Sequence, residues 1–140
     1  MAIRELEQYR YLLSARANCK DRIVELEETM YRLQSAKTDD VSVQSSLNSD
    51  QRICSLLDAK EEQIWRLSSI DLKLTRFKRA METLSDEDRS VLRLCFVEKA
   101  ETPEEAAWQL GIEKSCLYKK RNRALVRFTK ALFGITDDIV

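Results

Sequence analysis

The chain has 140 residues, 24 Lys and Arg against 24 Asp and Glu, and no His; the length holds one domain or one small domain on an extended arm. The missing His removes the commonest general base and metal ligand, and only 2 Gly and 1 Pro exclude a turn-rich sandwich or barrel in favour of long helices. No apolar run reaches the roughly 18 residues of a membrane span and no signal-peptide pattern follows Met1, so no membrane contact and a cytoplasmic location are expected.

The zero net charge conceals a segregation. Residues 1–37 carry +1, 38–50 carry −3, 51–83 carry +2, 84–112 carry −4, 113–134 carry +6 and 135–140 carry −2. A neutral chain is not a nonspecific nucleic-acid coat, but one strongly basic helix points to a single cationic contact surface. The four cysteines, Cys19, Cys54, Cys95 and Cys116, form no close pair. They read as reduced thiols rather than metal ligands, and neither metal nor cofactor is expected.

Residues 2–36 contain no Gly or Pro. Ile23, Leu26, Met30 and Leu33 follow 3-4-3 spacing, and Leu12 and Cys19 extend the stripe, so a long helix is predicted. Thr38 to Asp50 is polar and acidic with no stripe, and reads as a loop that Asp50 closes as the N-cap of the next helix. From Ile53, 3-4 steps give Leu56, Lys60, Gln63, Leu67, Ile70, Leu74, Phe77, Met81 and Leu84, a coiled-coil seam interrupted only at Lys60 and Gln63. Ile64 and Trp65 are placed to cover that gap. The simplest arrangement is an antiparallel hairpin arm over 1–83. Two helices cannot bury all this apolar surface alone, so packing against a second copy or against the C-terminal module is expected.

The stretch 84–134 predicts three helices, followed by a tail at 135–140. Ser85 caps the first, with Asp88 placed to bond back to it, and Val91, Leu92, Leu94, Cys95 and Phe96 supply core positions. Thr102 caps the second, with Pro103 at its first position and Glu105 completing a capping box. Gly111 ends it in the left-handed region. Ile112 enters the core, and a third helix runs from Lys114 to Phe133 with Gly134 as its stop. A small Ala107, a Gly111 turn and an apolar Leu117 between crossing helices are the pattern of a helix-turn-helix.

The segment LSDEDRSVLRLCF…TPEEAAWQLGIEKSCLYKKRNRALVRF resembles the helix-turn-helix of sigma-factor region four, through its leading Leu-Ser, the EEAAWQLGI helix and turn, and Arg123-Ala124-Leu125. The whole chain, with YRYLLSARANCKDRIVELEE, VQSS at Val43 to Ser46 and the second helix, is similar to small phage and prophage proteins related to the ArpU and RinA late-transcription regulators. That resemblance implies an all-α fold of a hairpin followed by a three-helix module. It also implies binding of double-stranded DNA and control of phage transcription. RNA polymerase is a further expected partner. The sequence departs from the pattern at Glu113, where region four usually has Ser, and at Arg121, where an apolar residue is common. Arg121 points toward the core side, so its guanidinium is expected to meet an acid, Asp88 or Glu98.

On a helical wheel of about 100° per residue, Ser115, Lys119, Asn122 and Arg123 face away from Leu117, and Tyr118 and Lys120 flank them. Ser115, Tyr118, Lys119 and Asn122 are the expected base readers. Lys114, Lys120, Arg123, Arg127 and Lys130 are the expected phosphate contacts. Trp108 lies outside the buried stripe of its helix and is expected to pack on the hairpin, with a role as a partner contact the alternative. No nucleophile with a local base and no phosphate loop is present, so no enzymatic activity is expected. Two other functions compete with transcriptional regulation: a DNA-packaging subunit like a small phage terminase, and a module that binds polymerase or its partners rather than DNA.

Overall fold

A computed structural model describes residues 2–37 and 43–134, which form five α-helices and no strand. They are α1 (Ala2–Lys37), α2 (Val43–Glu82), α3 (Asp86–Leu92), α4 (Pro103–Leu110) and α5 (Lys114–Phe133). Residues 38–42 and the tail 135–140 lie outside the described residues.

The expected loop to Asp50 is corrected. Helix α2 already begins at Val43, so Asp50 lies inside it and is no N-cap. The stretch is polar but holds no Gly or Pro. Extending an existing helix backward through Ser and Asn costs only about 0.5 kcal/mol per residue, far less than nucleating a new one.

The chain divides into two compact units. One comprises Ser14–Asp71; the other comprises Met1–Leu13 with Leu72–Val140. The unit that contains 84–134 therefore also takes in the start of α1 and the end of α2. Its main core gathers Leu6, Phe77, Ala80, Leu84, Leu92, Ala124 and Phe128. Tyr9 stacks on Phe77 with centroids 4.3 Å apart, and Phe77 meets Phe128 edge to face at 5.5 Å. A second cluster of Val91, Ala106, Ala107 and Leu117 joins α3, α4 and α5.

The Ser14–Asp71 unit buries Cys19, Leu26 and Met30. Arg16 pairs with Asp71 at 2.5 Å and Glu27 with Lys60 at 3.1 Å. As the α1 partner advances by 11 residues the α2 partner retreats by 11, so the chain directions oppose in this unit. Lys60 fills its seam position as half of an ion pair. Ile64 and Trp65 do not cover it: they are 43% and 76% exposed, because Lys60 closes its own gap with Glu27.

The module's ends follow local chemistry. Ser85 Oγ accepts from Asp88 N–H, and Thr102 Oγ1 accepts from Glu105 N–H at 3.1 Å. The Glu105 carboxylate in turn accepts from Glu101 N–H, one residue before the expected place. Helix α3 widens into a π-type turn over Arg93–Val97, where Glu98 N–H donates to Arg93 C=O, and ends at Lys99 with φ +47°. Gly111 sits at φ +68°; its N–H donates to Trp108 C=O and the Ile112 N–H to Ala107 C=O. This 5→2 and 6→1 pair is a Schellman ending, and it turns the chain from α4 into α5.

Candidate nucleic-acid interface

Helix α5 buries one side and exposes the other. Leu117, Ala124 and Phe128 are 2%, 0% and 0% exposed. Ser115, Lys119, Asn122 and Arg123 are all exposed, as their wheel positions require. Val126, opposite Leu117 on the wheel, is also exposed and puts a methyl surface in the middle of that side. Cys116, in the first turn of the helix, is exposed as well. Neither residue carries the charge by which a helix wheel marks a phosphate contact.

The five expected phosphate contacts divide. Lys114 pairs with Glu104 of α4, Lys120 with Glu87 of α3, and Arg127 with Asp88 of α3. Lys130 is half-buried and has an interaction of its own. Arg123, like Lys119, is exposed and has no ion-pair partner among the described residues. The acidic stretch before α5 thus neutralises part of its charge. What remains open is a pair of cations at i and i+4, flanked by Ser115 and Asn122. From Ser115 to Val126 this strip is about 16 Å long at 1.5 Å per residue.

Asp88 is the one buried charged residue among those described, 5% exposed, and its carboxylate accepts from Arg127 Nη1 at 2.7 Å. This occupies Asp88, one of the two acids expected to meet Arg121; no ion pair joins Arg121 to the other, Glu98, among the described residues, and that expectation is corrected. Six residues, or about 9 Å along the helix, separate Arg121 from Arg127. Arg121 instead lies over the Tyr118 ring, 4.9 Å from its centroid, and its buried Nε has no hydrogen-bond partner. Tyr118 is half-buried beneath it.

Electrostatics follow these pairings. The Lys114 ammonium holds the Glu104 carboxyl below its ordinary value, and Glu104 in turn raises Lys114. Burial pushes the Cys95 thiol up, partly offset by the Arg121 charge. Helix α5 starts at Glu113 with no side-chain cap, so its first N–H groups stay open to an anion. Trp108 does not pack on the rest of the chain; it is 82% exposed. Its helix puts Glu104 and Glu105 one turn before it, on the side opposite the buried Ala106 and Ala107.

No group of three or more His, Cys, Asp or Glu among the described residues is placed to hold a metal, and no helix is long and apolar enough to cross a membrane. Comparison with protein-family models, with curated proteins and with solved structures returns no match.

Proposed function

We propose that the chain is a sequence-specific binder of double-stranded DNA, a phage-derived transcriptional regulator that reads the major groove with α5. In this reading α1 and α2 form an antiparallel hairpin arm, α3 to α5 form the helix-turn-helix module, and the protein self-associates through the arm. The observation that carries the reading is the exposed strip Ser115, Lys119, Asn122 and Arg123 on a helix that follows a Schellman turn. A helix is narrow enough for the groove, whose width is about 12 Å. Lys119 suits guanine and Asn122 suits adenine, while Arg123 is placed for a phosphate.

Fluorescence anisotropy on duplex DNA at several salt concentrations tests this. Arg123→Ala lowers affinity for all sequences alike and reduces the salt slope by about one. Lys119→Ala costs about 1–3 kcal/mol on a selected site and relaxes base preference there. Absence of affinity for any duplex at low salt overturns the reading.

One observation favours a second reading, a protein-binding module. Trp108 is exposed amid Glu104 and Glu105; those charges repel phosphate, and the ring offers a cation–π platform to a basic partner. RNA polymerase is the partner this reading names. It gains if duplex binding is absent while Trp108→Ala abolishes a protein contact. The packaging reading gains if the protein assembles into a large ring.

A further inference from the structure

Within the Ser14–Asp71 unit a second apolar row runs beside the first on each helix. On α1, Ala17, Val24 and Tyr31 recur every seven residues; on α2, Leu57 and Ile64 do so, and Asp71, the ion-pair partner of Arg16, takes the next position. The apolar members are exposed: Val24 by 51%, Tyr31 by 72%, Leu57 by 46% and Ile64 by 43%. Trp65, at 76%, borders the α2 row. Seven-residue spacing keeps each row on one line along its helix.

Each row sits one residue after the row that joins the two helices. Val24 follows Ile23, Tyr31 follows Met30, Leu57 follows Leu56 and Ile64 follows Gln63. One residue turns the helix by about 100° in the same sense seen from either N-terminus. Because the two helices run in opposite directions, that turn brings both rows to the same side of the pair. The Arg16–Asp71 and Glu27–Lys60 pairs set the register. They put Val24 level with Gln63, beside Ile64, and Tyr31 level with Leu56, beside Leu57. The result is two apolar rungs across one face.

We infer that this face is the surface on which a second copy of the chain docks, α1 antiparallel to the partner's α1, about a two-fold axis crossing both helices near Val24 and Ile64. This deepens the self-association proposed above by naming its face and arrangement. The face is about 36 Å long at 1.5 Å per residue over 14–37 and about 20 Å wide for two helices. That gives roughly 700 Å² per copy, against about 800 Å² in a standard interface.

On α1 the chemistry is self-complementary about that axis. Val24 meets the partner's Val24, and Ile64 the partner's Ile64. Tyr31 and Ala17 lie seven residues to either side of Val24, so a large ring covers a small side chain. Lys20 and Glu28 lie four residues to either side, so opposite charges meet; neither has an ion-pair partner among the described residues. The other two-fold arrangement, with the axis along the helices, sets Lys20 against the partner's Leu67 and the partner's Ser68, without an acid, so the antiparallel pairing of α1 is the one that uses both charges.

Sedimentation equilibrium on the full chain without DNA, together with mild oxidation of a Val24→Cys variant in a Cys54→Ser, Cys116→Ser background, tests the inference. The expected mass is twice 16.4 kDa, the variant links to itself, and Val24→Glu with Ile64→Glu gives a monomer of unchanged helicity by circular dichroism. A monomer at every concentration, a dimer that survives the double Glu substitution, or a dimer in which the Val24→Cys variant fails to link overturns it. Failure here leaves the DNA reading standing, and loss of DNA binding by Lys119→Ala leaves this dimer standing.

Discussion

Replacing Arg127 by Ala separates a cation that holds the module together from one that waits for a phosphate. The Asp88 side chain is 7% exposed and that of Arg127 is 53% exposed, with one hydrogen bond of 2.7 Å between them. The two partners are therefore unequal. Removing Arg127 strands a buried carboxylate, whereas removing Asp88 frees a guanidinium that water readily solvates. A charge-assisted hydrogen bond contributes about 1.5–3 kcal/mol. Discounted for the half-exposed arginine, Arg127→Ala costs about 2 kcal/mol, on the order of 8 °C in Tm. Asp88→Ala costs about 1 kcal/mol because no buried charge is left behind. The double variant then recovers about 1 kcal/mol relative to Arg127→Ala alone. Urea denaturation followed by circular dichroism measures all three. An Arg127→Ala protein within about 0.5 kcal/mol of the parent, or a double variant less stable than Arg127→Ala, refutes the reasoning.

Three further outcomes are expected. Gly111→Ala costs about 1 kcal/mol in the same assay, entirely through φ +68°, since a Cβ there meets nothing within 4 Å; Gly111→Asn costs less. Arg121→Leu holds or raises stability, because it removes a buried Nε without a partner at the loss of a cation–π contact of about 0.5–1 kcal/mol; a loss above about 2 kcal/mol in melting experiments contradicts this. Glu104→Gln frees Lys114 and steepens the salt dependence of DNA binding. Because Glu104 is lowered and Lys114 raised, the pair's contribution is present between the ordinary carboxylate and ammonium ranges. It is lost as pH falls through the Glu104 value or rises through the Lys114 value. A stability difference between parent and Glu104→Gln that varies through neutral pH counts against the pairing.

The helix ends were legible because each depends on a few adjacent residues. Ser85, Thr102 with Pro103, Gly111 and Gly134 act within one turn, and the structure uses each of them as a cap or stop. The seam from Ile53 to Leu84 was legible for the same reason: every one of its positions is buried or half-buried. The start of α2 was not, since the polar stretch 43–50 carries no pattern and its helical state continues from the residues after it.

The chain's own order of residues determined its all-α character, its turns and which side of α5 is apolar, because helical periodicity and capping are local. It could not decide which cation on α5 is committed to which acid. Glu87, Asp88 and Glu104 lie between 10 and 39 residues from the lysines and arginine they engage, and every combination has the right sign of charge. Only the packing of α3 and α4 against α5 selects one set, which leaves Lys119 and Arg123 open. An ion pair depends on distances of a few ångströms, and those exist only once the helices are in contact.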